Sequence, residues 1–232
     1  MSDTPYSGCD NLEIMEEAVF YNRFLVNTVA RHAEIGLSII DFGAGGGLFA
    51  DALTEIGHDV LCIEPDPVLR RRLAERGLRT AQGLEETPDA SVDFIYSLNV
   101  LEHIEDDAGT IRLWHRKLKP NGRLLLYVPA FQCLFSAMDR KVGHYRRYAR
   151  GSLSPLVRDN GFQITSDRYV DCLGFFAAYL YRWAHVDEGS VDRRGLIVYD
   201  RMVFPVSRTL DSLLGRCFGK NLLIHAMSLP NG

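Results

Sequence analysis

What the chain lacks narrows its class before any motif is read. Its five cysteines, at positions 9, 62, 133, 172 and 217, are scattered and include no C-x-x-C pair. That pattern argues against a disulfide framework or a cysteine-built zinc site, and it predicts reduced thiols and no metal centre. No apolar run reaches the roughly 18 residues of a membrane span. Residues 1–10 lack the charged-then-apolar form of a signal peptide, so the cytoplasm is the expected compartment. A basic excess is missing too: 26 Lys and Arg stand against 30 Asp and Glu, a net charge of −4. This argues against a general nucleic-acid binder, which carries a dominant basic face. Internal repeats and low-complexity segments are absent, and 232 residues suit one domain with a substantial core.

What is present alternates. A helical pattern spans Leu12 to His32. Strand-like segments then fall near 37–42, 59–64, 79–82, 92–97, 123–129, 162–169 and 221–228, with helices near 47–57, 66–76, 106–118 and 151–160. Such alternation means βαβ units and a largely parallel sheet covered on both faces, an α/β Rossmann-like fold. Two segments, about 130–150 and 170–220, exceed what that core needs. Both leave from strand ends on the side where open α/β sheets bind ligands, so they are expected to cover an acceptor pocket.

The most specific stretch is Ile39 to Phe49, I-I-D-F-G-A-G-G-G-L-F. A strand enters a glycine-rich turn and then a helix, whose N-terminus offers free N–H groups and partial positive charge. Dinucleotides and S-adenosylmethionine both use this geometry. Gly43 and Gly45 fit the first two positions of the dinucleotide fingerprint, but Leu48 stands where its third small residue belongs. Glu64, at the end of the second strand, is the acid expected about 20 residues on. The D-x-G-x-G-G-G-L pattern resembles motif I of class I S-adenosylmethionine-dependent methyltransferases. Ser91–Ser97 is similar to that family's fourth strand, Leu98–Ile104 to its "vLEHi" segment, and Leu118–Arg123 to its "LkPgG" turn.

The resemblance implies a seven-stranded sheet with an antiparallel last strand and methyl transfer from S-adenosylmethionine. It also implies site residues. Gly43, Ala44 and Gly45 wrap the amino-acid end of the cofactor, and Glu64 accepts from its ribose hydroxyls. Asp41, inside an apolar strand, has to satisfy its oxygens on the turn N–H groups or the cofactor ammonium. Gly83 stands where relatives place an adenine-reading acid, so the backbone of Gly83 and Leu84 takes that contact, with Glu85 as a substitute. Leu98 and Asn99 line the methionine end. His103 and His144 are candidate bases.

Residues 134–148, ending G-H-Y-R-R-Y, resemble a segment of a bacterial methyltransferase subgroup associated with surface-glycan and polyprenyl-sugar pathways. Tyr145, Arg146 and Tyr148 are its candidate acceptor-binding residues, since arginines favour phosphates and carboxylates. The expected acceptor is therefore a small molecule or a glycan- or lipid-linked sugar. Two rival functions stay open at this stage: a non-catalytic S-adenosylmethionine-binding regulator and an NAD-dependent oxidoreductase. The aromatic run 173–183 is too short to span a bilayer and fits pocket or core packing, with peripheral membrane contact as the alternative. The amphipathic run 199–214 closes over the domain or meets a second subunit.

Overall fold

The computed structural model describes residues 14–183 and 193–230. Its seven strands are β1 (Ile39–Phe42), β2 (Val60–Ile63), β3 (Arg79–Ala81), β4 (Val92–Leu98), β5 (Leu118–Pro129), β6 (Phe162–Val170) and β7 (Asn221–Ser228). They form one sheet in the order β3-β2-β1-β4-β5-β7-β6. The first five run parallel, and β7 lies antiparallel between β5 and β6. This is the mostly parallel α/β sheet that the alternation predicts.

Successive side chains of a strand point to opposite faces. Ile39 therefore packs with Leu25, Leu53 and Leu73 on one face, and Ile40 with Trp114, Leu153 and Val157 on the other. The first face is covered by α1 (Val19–Ala30), α2 (Leu48–Glu55) and α3 (Pro67–Glu75), the second by α4 (Asp107–Lys117) and α6 (Arg150–Asp159). Between α4 and α6 lies the short α5 (Ala137–Lys141). Burying both faces is what makes these strands near-continuous apolar runs. Strand order reverses between β1 and β4, and the crevice at that reversal is where doubly wound sheets bind ligands.

The second insertion contains α7 (Cys172–Trp183), α8 (Arg193–Val198), a π-helical turn at Tyr199–Val203 and α9 (Phe204–Leu214). Phe204 meets Tyr21 and Phe24 edge-on at 5.6 and 5.9 Å, so the amphipathic segment closes over the first helix. Phe175 on α7 meets Phe131 edge-on at 5.3 Å, whereas Phe176, Tyr179 and Leu180 are exposed.

Two boundaries depart from the sequence pattern. The helix expected from Leu12 to His32 breaks at Glu17–Ala18, where the Asn22 amide donates to the Met15 and Glu16 carbonyls at 2.9 and 3.2 Å; Leu12 itself lies outside the described residues. Strand β5 begins at Leu118 rather than near 123. It carries Pro120–Gly122 as an irregularity, with Asn121 at φ +64° and a register jump against β4.

Candidate active site

The glycine turn leaves β1 after Phe42. Gly43 and Gly45 have φ of +83° and +53°, and Gly47, also at +83°, opens α2. Left-handed angles of this kind favour glycine. The turn is fastened to the end of β2: the Gly43 and Ala44 N–H groups both donate to the Ile63 carbonyl, at 2.9 and 3.1 Å. A methyl group at Gly43 would collide with Val100, and one at Gly47 with Leu73. Two of the four glycines are thus required by packing within the chain, apart from any ligand.

Glu64 is buried, and its carboxylate ties the turn to the next helix. One oxygen accepts from Gly45 N–H at 2.8 Å, the other from Asp66 N–H at 2.9 Å. Burial raises its pKa, and those two N–H groups offset part of the rise. Asp66 in turn caps α3 by accepting from the Val68 and Leu69 N–H groups, with Pro67 at the first helical position.

Asp41 is 2% exposed, and its Oδ2 has no hydrogen-bond partner among the described residues. Burial pushes its pKa up to about 7, against the lowering influence of the neighbouring Tyr96 hydroxyl. The Gly43, Ala44 and Gly45 N–H groups are held by Ile63 and Glu64 instead.

Asn99 follows β4 at φ +55°, with its N–H on the Tyr127 carbonyl at 2.7 Å and its side-chain amide 3.3 Å from the Tyr21 hydroxyl. Leu98 is buried beside it. Tyr21, on α1, did not stand out in the sequence, because only tertiary packing brings it there. After β3, Leu84 is buried, and the Glu85 carboxylate folds back over Gly83. It occupies the space a side chain at Gly83 would take, which restores an acid near that position.

At the end of β4 a 3-10 turn, Leu101–His103, presents Glu102 and His103. His144 reaches the same place from the loop after α5. The His103 and His144 rings meet edge-on at 4.5 Å, and His144 Nε2 is 3.8 Å from Glu102 Oε1. Glu102 is fully buried, which pushes its pKa up to about 8; burial and then His144 push His103 down to about 4. His144 Nδ1 lies 2.7 Å from Asp139. Burial works against the Asp139 charge, but hydrogen bonds from His144 and Arg147 hold it well below the usual carboxylate range. Asp139, which also forms a capping box with Ser136 at the start of α5, did not stand out in the sequence, because its pairing with His144 arises only when the loop folds back.

The basic loop is turned inward more than its sequence suggests. Arg146 pairs with Asp107 at 2.7 Å and donates to the Glu105 carbonyl at 2.9 Å. Arg147 is bidentate on Asp139, at 2.8 and 2.9 Å. The buried Tyr148 hydroxyl donates to Asp107 at 2.9 Å. Arg146 and Tyr148, expected to face an acceptor, are thus committed to holding the loop; Tyr145 is the one of the three that is exposed.

Comparison with known proteins agrees with this geometry. A family described as "Methyltransferase domain" matches residues 16–167. The chain belongs to that family. It is a methyltransferase dependent on S-adenosylmethionine. Among its relatives, the ubiquinone biosynthesis O-methyltransferase of Pseudomonas paraeruginosa is 28% identical over 167 residues, covering 62% of this chain and 72% of that one. The protein of the same name from Pseudomonas aeruginosa is 32% identical over 116 residues, 45% of this chain and 50% of that one. A SAM-dependent methyltransferase structure from Archaeoglobus fulgidus superposes with a TM-score of 0.62 at 15% identity, covering 91% of this methyltransferase and 94% of that chain; this is a likeness of fold.

Proposed function

We propose that the enzyme methylates a hydroxyl oxygen of a small molecule. The observation that carries this reading is the cluster of Glu102, His103 and His144 at the ends of β4 and β5. It sits two residues from Val100, which packs against Gly43 of the glycine turn. A hydroxyl has to give up its proton when it is methylated, and an imidazole of this cluster is a group of the kind that takes such a proton. The relatives named as O-methyltransferases support an oxygen acceptor. A glycan- or lipid-linked sugar, which residues 134–148 imply by resemblance, would call on arginines free to meet phosphate. Arg146 and Arg147 are paired with Asp107 and Asp139, and the small-molecule reading is preferred for that reason.

The residues present fit the cofactor. The unpartnered Asp41 Oδ2 suits its ammonium, and the turn Gly43–Ala44–Gly45 its amino-acid end. Each Glu64 oxygen accepts one internal hydrogen bond and retains a second lone pair for a ribose hydroxyl. Gly83 and Leu84, with the Glu85 carboxylate, stand for the adenine, and Leu98 and Asn99 for the methionine end. Bound S-adenosylmethionine supplies an electrophilic methyl sulfonium. The chain's own work is to align the acceptor, which accounts for several kcal/mol of barrier lowering, and to receive its proton.

The test gives the purified enzyme methyl-labelled S-adenosylmethionine with a panel of phenols and alcohols and, separately, with lipid-linked sugars. Acid-stable ether label on a panel compound is expected; label confined to sugars or to nitrogen would refute the reading. Glu64→Ala should weaken S-adenosylhomocysteine binding about ten- to a hundredfold, the value of one or two charge-assisted hydrogen bonds. Unchanged affinity in a folded variant removes Glu64 from the cofactor site.

A further inference from the structure

Glu102 is 0% exposed, and neither oxygen of its carboxylate has a hydrogen-bond partner among the described residues. A buried carboxyl left unpaired is destabilising by an amount that natural chains tolerate only where something else satisfies it. Two imidazoles face it, from its own turn and from the loop after the neighbouring strand. One donor atom from each of Glu102, His103 and His144 can be chosen so that all three lie within 4.8 Å of one another. We propose that these three residues bind a divalent first-row transition-metal cation.

The geometry supports this in three ways. Metal–ligand bonds of about 2.1 Å place donors roughly 3.0–3.4 Å apart, so side-chain rotations of about 1 Å close the set. His144 Nε2 and Glu102 Oε1, at 3.8 Å, are already near that spacing. Second, both imidazoles are braced from outside. His144 Nδ1 is held by Asp139, which Arg147 and the Ser136 backbone hold in turn. The His103 ring is hydrogen-bonded to the backbone of Val142 and Gly143. Outer partners of this kind fix the tautomer and aim the other ring nitrogen at a metal. Third, two imidazoles and one carboxylate are a donor set for Zn²⁺, Fe²⁺ or Co²⁺ rather than for Mg²⁺ or Ca²⁺, which take oxygen ligands. Three protein ligands leave at least one position open on a cation that takes four or more.

The proposal stands on donor geometry and recasts the cluster of the proposed function: with a cation bound, the three side chains would orient the acceptor oxygen rather than take its proton themselves, and the site is tested without acceptor or turnover. The full chain, stripped with chelator, is titrated with Co²⁺ and followed by visible d–d absorption, with Zn²⁺ as competitor. Binding of one equivalent per chain is expected, displaced by one equivalent of Zn²⁺. Glu102→Gln and His144→Ala should each weaken binding by at least about a hundredfold, and Asp139→Asn by about 10- to 100-fold through loss of the outer partner. Circular dichroism and S-adenosylhomocysteine affinity check that the variants fold. X-ray absorption at the zinc edge of the wild-type protein needs no variant: two imidazole ligands support the site, and an all-oxygen shell overturns it. Absence of a Co²⁺ band in the folded wild type, or equal affinity in wild type and Glu102→Gln, overturns it as well.

Discussion

At the scale of single residues, the two acids beside the glycine turn do opposite things. Glu64 spends its carboxylate on two backbone N–H groups and so builds the turn. Asp41, a strand away, has one oxygen without a hydrogen-bond partner among the described residues and a pKa raised to about 7 from 3.8. For an acid raised by folding, the native state holds the proton that the unfolded chain has released. Stability is therefore lost as pH climbs from about 4 to about 7. Asp41→Asn removes that loss and should stabilise the ligand-free protein above pH 7 by up to roughly 4 kcal/mol, with the gain vanishing near pH 4. Cofactor binding moves the other way. Pairing with an ammonium requires the ionised form, so wild-type affinity should rise as pH approaches 7, and the Asn variant should bind more weakly with a flatter profile. Urea titrations at pH 4 and 8, with S-adenosylhomocysteine calorimetry across that range, check both halves. A variant no more stable than wild type at pH 8 refutes the assignment of burial strain to Asp41.

At the scale of elements, acids far along the chain fasten the N-terminal ends of two helices. α1 begins after Ala18, which supplies no side-chain cap; instead Asp200, in the π-helical turn, accepts from the Phe20 and Tyr21 N–H groups at 2.9 and 2.8 Å. Asp211 on α9 does the same for the Asp171 and Cys172 N–H groups where α7 begins, at 2.8 and 2.9 Å. A helix N-terminus leaves its first N–H groups unpaired and favours negative charge, so these acids fasten the second insertion to the core. Asp200→Ala should lower stability by about 1–2 kcal/mol and undock the Tyr199–Leu214 segment from α1. Faster hydrogen exchange at Phe20 and Tyr21 would register this, and unaltered exchange there would count against the cap.

These caps also mark what local reading could reach. The seven strands, and the helices between them, were legible because their apolar periodicity is local, and Glu64 and the glycine turn because their order along the chain is. The break in the first helix and the early start of β5 were not, since Asn22 and the β4 register set them. Tyr21, Asp139 and the inward pairing of Arg146 escaped for the same reason: each is fixed by a partner distant in sequence or by the way a loop folds back.

At the scale of the molecule, groups on separate elements set opposing pH responses. His225 on β7 packs against His32 beyond the end of α1, with ring centroids 4.3 Å apart. Burial, then the nearby His32 and Arg168, pushes its pKa down to about 4 from 6.5, and burial lowers that of His32 as well. Here the unfolded chain binds the proton more readily. The contribution of His225 is complete above pH 6.5 and is lost as pH falls towards 4. Asp41 gains over the same interval on acidification, so the two slopes oppose each other between about pH 4 and 6.5. Replacing one should expose the other. His225→Gln should leave stability near pH 7.5 within about 1 kcal/mol of wild type and shift the difference in favour of the variant by up to roughly 3 kcal/mol as pH drops to 4. Asp41→Asn should steepen the acid loss by a comparable amount. Asp41 on β1 and His225 on β7 are separated in the sheet by β4 and β5, so the double variant should show the sum of the two within about 0.5 kcal/mol at each pH. Denaturant melts of the four proteins at pH 4, 5, 6 and 7.5 measure all three terms. A His225→Gln difference that stays constant from pH 7.5 to 4 would mean that the half-buried imidazole pair does not govern the acid limit of this fold.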